Sequence, residues 1–307
     1  MRWYDMKGQP NWDSNPVPPS QGSNHSTNWA NEAGFYVADK SIANVSSSLN
    51  KDLKNLHSWL CANKLSLHIG KTNSMLICNH QKLRHLGDQD LNIRLDSETV
   101  TQVESLPYLG VTIDSRLTFN DQISSVVKKI NRGIGVLKRC ASFVPSDIRK
   151  LLYNALILPH FDYCASVWGI TSASNITRLQ RLQSRAMRMI LNAVPRTHIE
   201  DLLCKLKWMS VKQCLSFNRM VLLWKMTRGL APEYLLNKVH FAHQHHSYGT
   251  TSSIDEKLYI PHGHKSSLFT DSAAMWNSLP RNLRNNRNIV TFKKQLTTHI
   301  LKEHSKF

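Results

Sequence analysis

The apolar residues of this chain change their period near residue 120, and that change limits what each half can become. Before it, apolar and polar residues alternate in short runs at 65–69, 74–78, 91–95 and 108–113. Alternation sends successive side chains to opposite faces of an extended backbone, so these runs predict short strands, with Gly70 and Gly87 at turns. A helical series precedes them: Ile42, Val45, Leu49, Leu53, Leu56 and Leu60 step by three and four, with Ser41 as N-cap. After Asn120 the spacing is helical. Ile123, Val126, Val127, Ile130, Ile134 and Leu137 share one face of a first helix. A second starts at Pro145, with Ser146 and Asp147 in its first turn, and breaks at Pro159. A third covers 176–191, a fourth 210–228 ended by Gly229 and Pro232, and a last one 289–302. The expected class is α+β: a small antiparallel sheet with one helix over 33–118, a mostly α-helical basic region over 119–238, and a loop-rich tail with a terminal helix over 239–307. Residues 1–32, rich in Asn, Ser, Pro and Gly without an apolar period, are expected to be mostly disordered or poorly folded.

Charge follows the second region. The chain carries 39 Lys/Arg against 21 Asp/Glu, a net +18. Between residues 128 and 228, 18 Lys/Arg stand against 4 Asp/Glu, a surplus of 14 that leaves +4 elsewhere. Such density repels itself unless a polyanion neutralises it, so nucleic acid or an anionic membrane is the expected partner. No run approaches the ~18 apolar residues of a membrane-spanning helix, which favours nucleic acid and predicts no membrane partner. The 6 cysteines stand singly, without a CxxC pair, so no zinc framework is expected. No secretory signal peptide opens the chain. A reducing intracellular compartment, nuclear or cytoplasmic, and free thiols follow as expectations.

Within the basic region, Arg178, Arg181, Arg185 and Arg188 step by three, four and three, which puts them on one helix face. Ile176, Leu179, Leu182, Ala186 and Ile190 lie on the adjoining face. Lys128, Lys129, Arg132, Lys138 and Arg139 form a similar basic face on the first helix. Two readings stay open: solvated faces without a partner, or phosphate contacts that weaken with salt. Trp168, Trp208, Trp224 and Trp276 sit among apolar neighbours and are expected in the core. His240, His243, His245, His246, His262 and His264 lack tetrahedral spacing, so no metal is expected there. Phe161, Asp162 and Cys164 read as a packed helix corner, not a nucleophile site.

Longer motifs add a family. Trp59-Leu-Cys-Ala-Asn-Lys-Leu-Ser-Leu-His-Ile-Gly-Lys-Thr72 resembles the stretch that follows the catalytic box in reverse transcriptases of non-LTR retrotransposons, the LINE or jockey-like class. Tyr108-Leu-Gly-Val-Thr-Ile-Asp114 with Leu117-Thr-Phe119 is similar to their next strand–turn element. Leu158-Pro-His-Phe-Asp-Tyr-Cys-Ala-Ser-Val-Trp-Gly169, Leu179-Gln-Arg-Leu-Gln-Ser-Arg-Ala186 and Met275-Trp-Asn-Ser-Leu-Pro280 continue the series in order, so the resemblance covers residues 33–307, and residues 1–32 lie outside it.

The resemblance implies an RNA-directed DNA polymerase fragment: a palm remnant over 33–118 and a thumb-like region over 119–238. The family places two Mg²⁺ ions on aspartates for phosphoryl transfer. Counting back from Lys40, the catalytic box falls on Ala30, Asn31 and Glu32, where a neutral amide and a longer carboxylate replace two aspartates. These three also read as ordinary loop residues. No catalytic set is intact on either reading, the fingers and first palm strand are missing, and no cofactor is expected to be retained. Lys71 corresponds to a lysine near the leaving pyrophosphate, or is a turn lysine beside Gly70. Tyr108 and Gly110 correspond to a primer-grip turn, or to a hairpin that only packs. The expected function is a reverse-transcriptase-like fragment of a mobile element, inactive alone, that holds nucleic acid without sequence preference, with a full-length polymerase of the same element as a further partner. The alternatives are a domesticated nucleic-acid-binding module and a transposon relic with no selected function.

Overall fold

A computed structural model describes residues 24–28, 32–65, 68–78, 91–96, 98–242, 256–260 and 268–304. The expectations placed on residues 1–23, Ala30, Asn31, Gly87, His243, His245, His246, His262 and His264 lie outside them. The chain divides into two compact units, 1–121 and 122–307.

In the first unit, β1 (Asn24–Asn28) pairs antiparallel with β2 (Glu32–Tyr36). Helix α1 (Ile42–Ala62) follows. Ser41 makes no side-chain cap; instead the Asp39 carboxylate accepts from Ser41 N at 2.8 Å and from Asn44 Nδ2 at 3.2 Å. The three-and-four steps of α1 place Ile42, Val45, Leu49 and Leu53 against a small core of Leu91, Ile93, Leu95 and Val100. Asn50 reinforces that contact, donating to Asn92 O at 3.1 Å and accepting from Arg94 N at 2.8 Å.

The remaining strands are short: β3 (Asn73–Ser74), β4 (Arg94–Leu95), β5 (Glu98–Thr99), β6 (Thr101–Gln102), β7 (Ser105–Tyr108) and β8 (Val111–Asp114). Among the described residues every sheet has two strands; β4–β5 and β7–β8 are antiparallel, and β3–β6 is parallel. Three sequence expectations change here. In the run at 65–69, Ile69 belongs to a 3-10 turn (Ile69–Lys71) and not to a strand, while Ser66 and Leu67 lie outside the described residues. The run at 74–78 contributes only Ser74 to a strand. The run at 108–113 is a hairpin, with Leu109 and Gly110 at φ 47° and 76° forming a two-residue turn. A two-residue turn keeps the apolar parity of its arms, so alternation reads straight through it. Leucine at positive φ costs about 1–2 kcal/mol.

The second unit takes up helix α2 (Asn120–Cys140) from Gln122 onward, followed by α3 (Ser146–Leu156), α4 (Leu158–Asp162), α5 (Ala165–Trp168), α6 (Ala173–Leu191), α7 (Ile199–Leu206), α8 (Val211–Thr227), α9 (Glu233–Leu236), α10 (Leu268–Ser278), α11 (Arg281–Arg284) and α12 (Ile289–His304). Helix boundaries follow local chemistry. Pro159 sits in the first turn of α4. Ser172 accepts from Asn175 N at 3.4 Å at the start of α6. Ser210 and Gln213 form a reciprocal capping box on α8. Gly229, at φ 69°, ends α8 in the left-handed conformation that favours glycine. Gly133 lets α2 approach the α3–α4 corner: a Cβ there would lie 2.7 Å from Ile157 Cγ1 and 2.9 Å from Leu156 O.

Helix α8 has apolar residues on all sides. Val211, Leu215, Met220, Val221, Leu223, Trp224 and Met226 are buried, and α4, α5, α6, α9, α10 and α12 all pack on it. Trp224 stacks on Phe292 of α12 at 5.7 Å, and Trp276 of α10 lies 6.1 Å from the same ring. Their indoles donate to Asn286 O at 2.8 Å and Glu256 O at 2.9 Å. Trp168 is buried, and Trp208 stacks on Tyr153 at 4.3 Å. The sequence gives only one helix beyond residue 239; the structure adds α10 and α11, and α10–α12 join α8 in one core. Among the described residues no helix is long and apolar enough to cross a membrane. The 6 cysteines are free.

Candidate nucleic-acid interface

Helix α2 buries Ile123, Val126, Val127, Ile130, Ile134 and Leu137. At 3.6 residues per turn this leaves Lys128, Arg132 and Arg139 together on the opposite face, flanked by Lys129 and Lys138. All five are exposed. Helix α6 buries Leu179, Ala186, Met187 and Ile190, while Arg178, Arg181 and Arg185 are exposed on the far side. The two helices meet where Arg178 Nη1 donates to Ser124 Oγ at 3.4 Å, one turn ahead of Lys128. One border thus carries cations from both helices.

Arg188 differs from the three arginines in step with it. It is half-buried, and its Nη2 donates to Thr197 O at 3.1 Å. Three more cations of the basic region hold the fold. Arg149 donates to Val144 O at 3.1 Å and to Met189 O at 2.6 Å, placing a positive charge at the carbonyl end of α6. Arg219 donates to Gly169 O. Arg228 grips both carboxylate oxygens of Glu256 at 3.0 and 2.6 Å and also donates to the carbonyls of Arg284 and Asn286. Sequence spacing missed this division; the signal available was position, since these arginines stand near helix ends or among apolar neighbours.

Burial lowers the pKa of His160 on α4, and the nearby Lys129 ammonium lowers it further. Burial raises the Asp162 carboxyl. Burial also pushes the Cys214 thiol up to about 12, with the Asp162 carboxylate adding to the shift, which leaves it un-ionised and unreactive at neutral pH. Tyr153, Leu158, Phe161, Gln183 and Cys214 line a cavity of about 10 Å³, room for a single water and not for a nucleotide.

The other sequence candidates lie in the first unit. Tyr108 is half-buried, its ring over β2: a Cβ on Gly34 would come 3.1 Å from its Oη and 3.3 Å from its Cε2. Gly110 is exposed at the hairpin tip. Lys71 is exposed at the end of its 3-10 turn, its N–H donating to His68 O at 3.0 Å. Glu32 stands opposite Asn28 in the β1–β2 register. The sequence reading did not single out Asp114. Its carboxylate accepts from the N–H groups of Arg116, Thr118 and Phe119 at 3.2, 2.9 and 2.6 Å. Those bonds hold a loop in which Leu117 and Phe119 both have positive φ, at 53° and 58°. Among the described residues no group of three or more His, Cys, Asp or Glu side chains that could hold a metal ion comes together. The described residues thus bring together no carboxylate set for the Mg²⁺ ions that the family resemblance implies.

No family model matches the chain, and no solved structure matches it. Curated relatives do. The probable RNA-directed DNA polymerase from transposon BS of Drosophila melanogaster is 30% identical over 111 residues, which is 35% of this chain and 12% of that protein. The probable RNA-directed DNA polymerase from transposon X-element of the same organism is 25% identical over 101 residues, covering 32% of this chain and 11% of that protein. The RNA-directed DNA polymerase from mobile element jockey of Drosophila funebris is 23% identical over 182 residues, covering 58% of this chain and 19% of that protein. The matched segment is thus less than a fifth of each of these relatives. Over the residues these matches span, the chain is a relative of the RNA-directed DNA polymerases of jockey-like non-LTR mobile elements.

Proposed function

We propose that the chain is a reverse-transcriptase-like fragment that holds nucleic acid by its backbone, without sequence preference, and does not polymerise by itself. The observation that carries this reading is the pair of exposed cationic faces on α2 and α6, bordering each other at Ser124 and Arg178. Lysine and arginine on helix faces contact phosphates, which gives affinity and register but reads no bases. In this reading α2 and α6 belong to a thumb-like region, and the first unit is a palm remnant. Inactivity is supported by the sequence, which contains no adjacent pair of aspartates. A longer polymerase of the same element is a further partner in this reading, supported by the small share of each relative that the matches cover.

Two measurements test it. Duplex binding falls steeply between 50 and 200 mM salt and drops further in the R181E/R185E variant; salt-independent binding, or an unaffected variant, refutes the interface. Template-dependent primer extension by this chain alone, with Mg²⁺ or Mn²⁺, refutes the inactive reading.

A further inference from the structure

Phe143 lies in the short turn between α2 and α3, and it is 85% exposed. A phenyl ring in that position gains nothing from folding, so burial does not explain it. The turn around it is held at several points. Phe143 N donates to Cys140 O at 2.9 Å. The next carbonyl, of Val144, accepts from Arg149 Nε at 3.1 Å. Pro145 then fixes the entry to α3. The ring stands on an ordered platform that directly follows the cationic end of α2, where Lys138 and Arg139 are exposed.

Charge identifies what this platform faces. From Lys128 to Phe143 the chain has no Asp or Glu. The nearest carboxylate beyond, Asp147, is paired with Lys150 at 3.3 Å. An exposed aromatic at the end of a cationic track combines the two elements by which proteins hold unpaired nucleotides: phosphates on the cations and a base stacked on the ring. We propose that Phe143 is a stacking platform for an unpaired base where a strand leaves the duplex held on α2. The inference rests on the nucleic-acid reading above and names its substrate more closely: a duplex with a single-stranded extension, in preference to a blunt one.

The test uses the full chain and two fluorescent probes, a blunt duplex and the same duplex with a short single-stranded extension containing 2-aminopurine. The expected result is that F143A weakens the extended probe by at least about five-fold and leaves the blunt probe within two-fold, while F143W retains the wild-type preference. Stacking should also change 2-aminopurine emission with the wild-type chain and not with F143A. Equal affinity of wild type and F143A for the extended probe overturns the stacking role, as does an equal loss on both probes. If K128E/R132E binds both probes as wild type does, the α2 face fails instead. If the wild-type chain binds neither probe, both inferences fall. The Phe143 side chain is 85% exposed, so F143A removes almost no packing and loss of fold does not confound the comparison.

Discussion

Arg188 separates the physical account from a charge count. By spacing it belongs with Arg178, Arg181 and Arg185, but its guanidinium is turned to the Thr197 carbonyl. Eight of the cations named on α2 and α6 are exposed: Lys128, Lys129, Arg132, Lys138, Arg139, Arg178, Arg181 and Arg185. Each phosphate contact contributes about 0.9 to the slope of log affinity against log salt, so full engagement of these groups gives a slope of roughly −7 and half engagement about −4. R181Q/R185Q should then flatten the slope by about 1.8, so that between 50 and 200 mM salt the variant loses roughly 12-fold less affinity than the wild type. R188Q should leave the slope unchanged within about 0.3. It should instead lower unfolding free energy by about 1–2 kcal/mol, through loss of a charged hydrogen bond to a carbonyl. Duplex binding by fluorescence anisotropy over a salt series, beside urea unfolding, reads both quantities. If R188Q flattens the salt slope as each of the other arginines does, the assignment of Arg188 to the fold is wrong.

G133A should destabilise by about 1–3 kcal/mol in urea despite its gain in helix propensity, because the new methyl meets Ile157 and the Leu156 carbonyl. G135A, whose nearest neighbour is Arg139 Nη1 at 3.8 Å, should stabilise by up to about 1 kcal/mol; the same sign for both variants would refute the packing argument. E256A leaves Arg228 with only carbonyl partners, and because the pair is partly exposed, at 14% and 24%, the expected loss is about 2–3 kcal/mol, less than for a fully buried pair. A loss below about 0.5 kcal/mol would show that the bridge contributes only a surface contact. The Cys214 thiol has a raised folded-state pKa, so the folded chain keeps a proton that the unfolded chain gives up above pH 9. Its contribution is fully present below pH 9 and is lost as pH rises toward 12, by up to about 1.4 kcal/mol per unit. C214A should lack that component between pH 9 and 10, and an unchanged pH profile would count against the burial of this thiol.

The helices were legible where apolar steps or end signals are strong. Residues 42–60 and 123–137 carry the steps, although Ser41 makes no side-chain cap, and Gly229 with Pro232 marks the end of α8; the Ser210–Gln213 capping box at its start is a feature the structure adds. The strands were not, because a two-residue strand such as β3 or β4 exists only through its partner, and partners are not encoded in local alternation. Helix α10 was missed for a related reason: its apolar residues describe no single stripe, and its place is set by Trp276 against Phe292. The candidate interface shows the same limit. Spacing correctly gives the helix face of Arg178, Arg181, Arg185 and Arg188, but not which guanidinium reaches a carbonyl. Asp114 left no sequence signal, since its three N–H donors converge only once the loop has taken its positive-φ conformation.

The all-round burial of α8 has a consequence for how this unit can be divided. The same helix serves as inner wall for the basic helical layer, through α4, α5 and α6, and for the C-terminal layer, through α10 and α12. A cut at residue 238, where charge and composition suggest a boundary, would strip the cover from Trp224, Leu223 and Met226. The exposed stripe would make the basic piece sticky and hard to keep in solution. A piece that keeps α8 covered therefore has to carry α10 and α12 with the basic helices, so the exposed cations of α2 and α6 and the C-terminal helices belong to one packed unit.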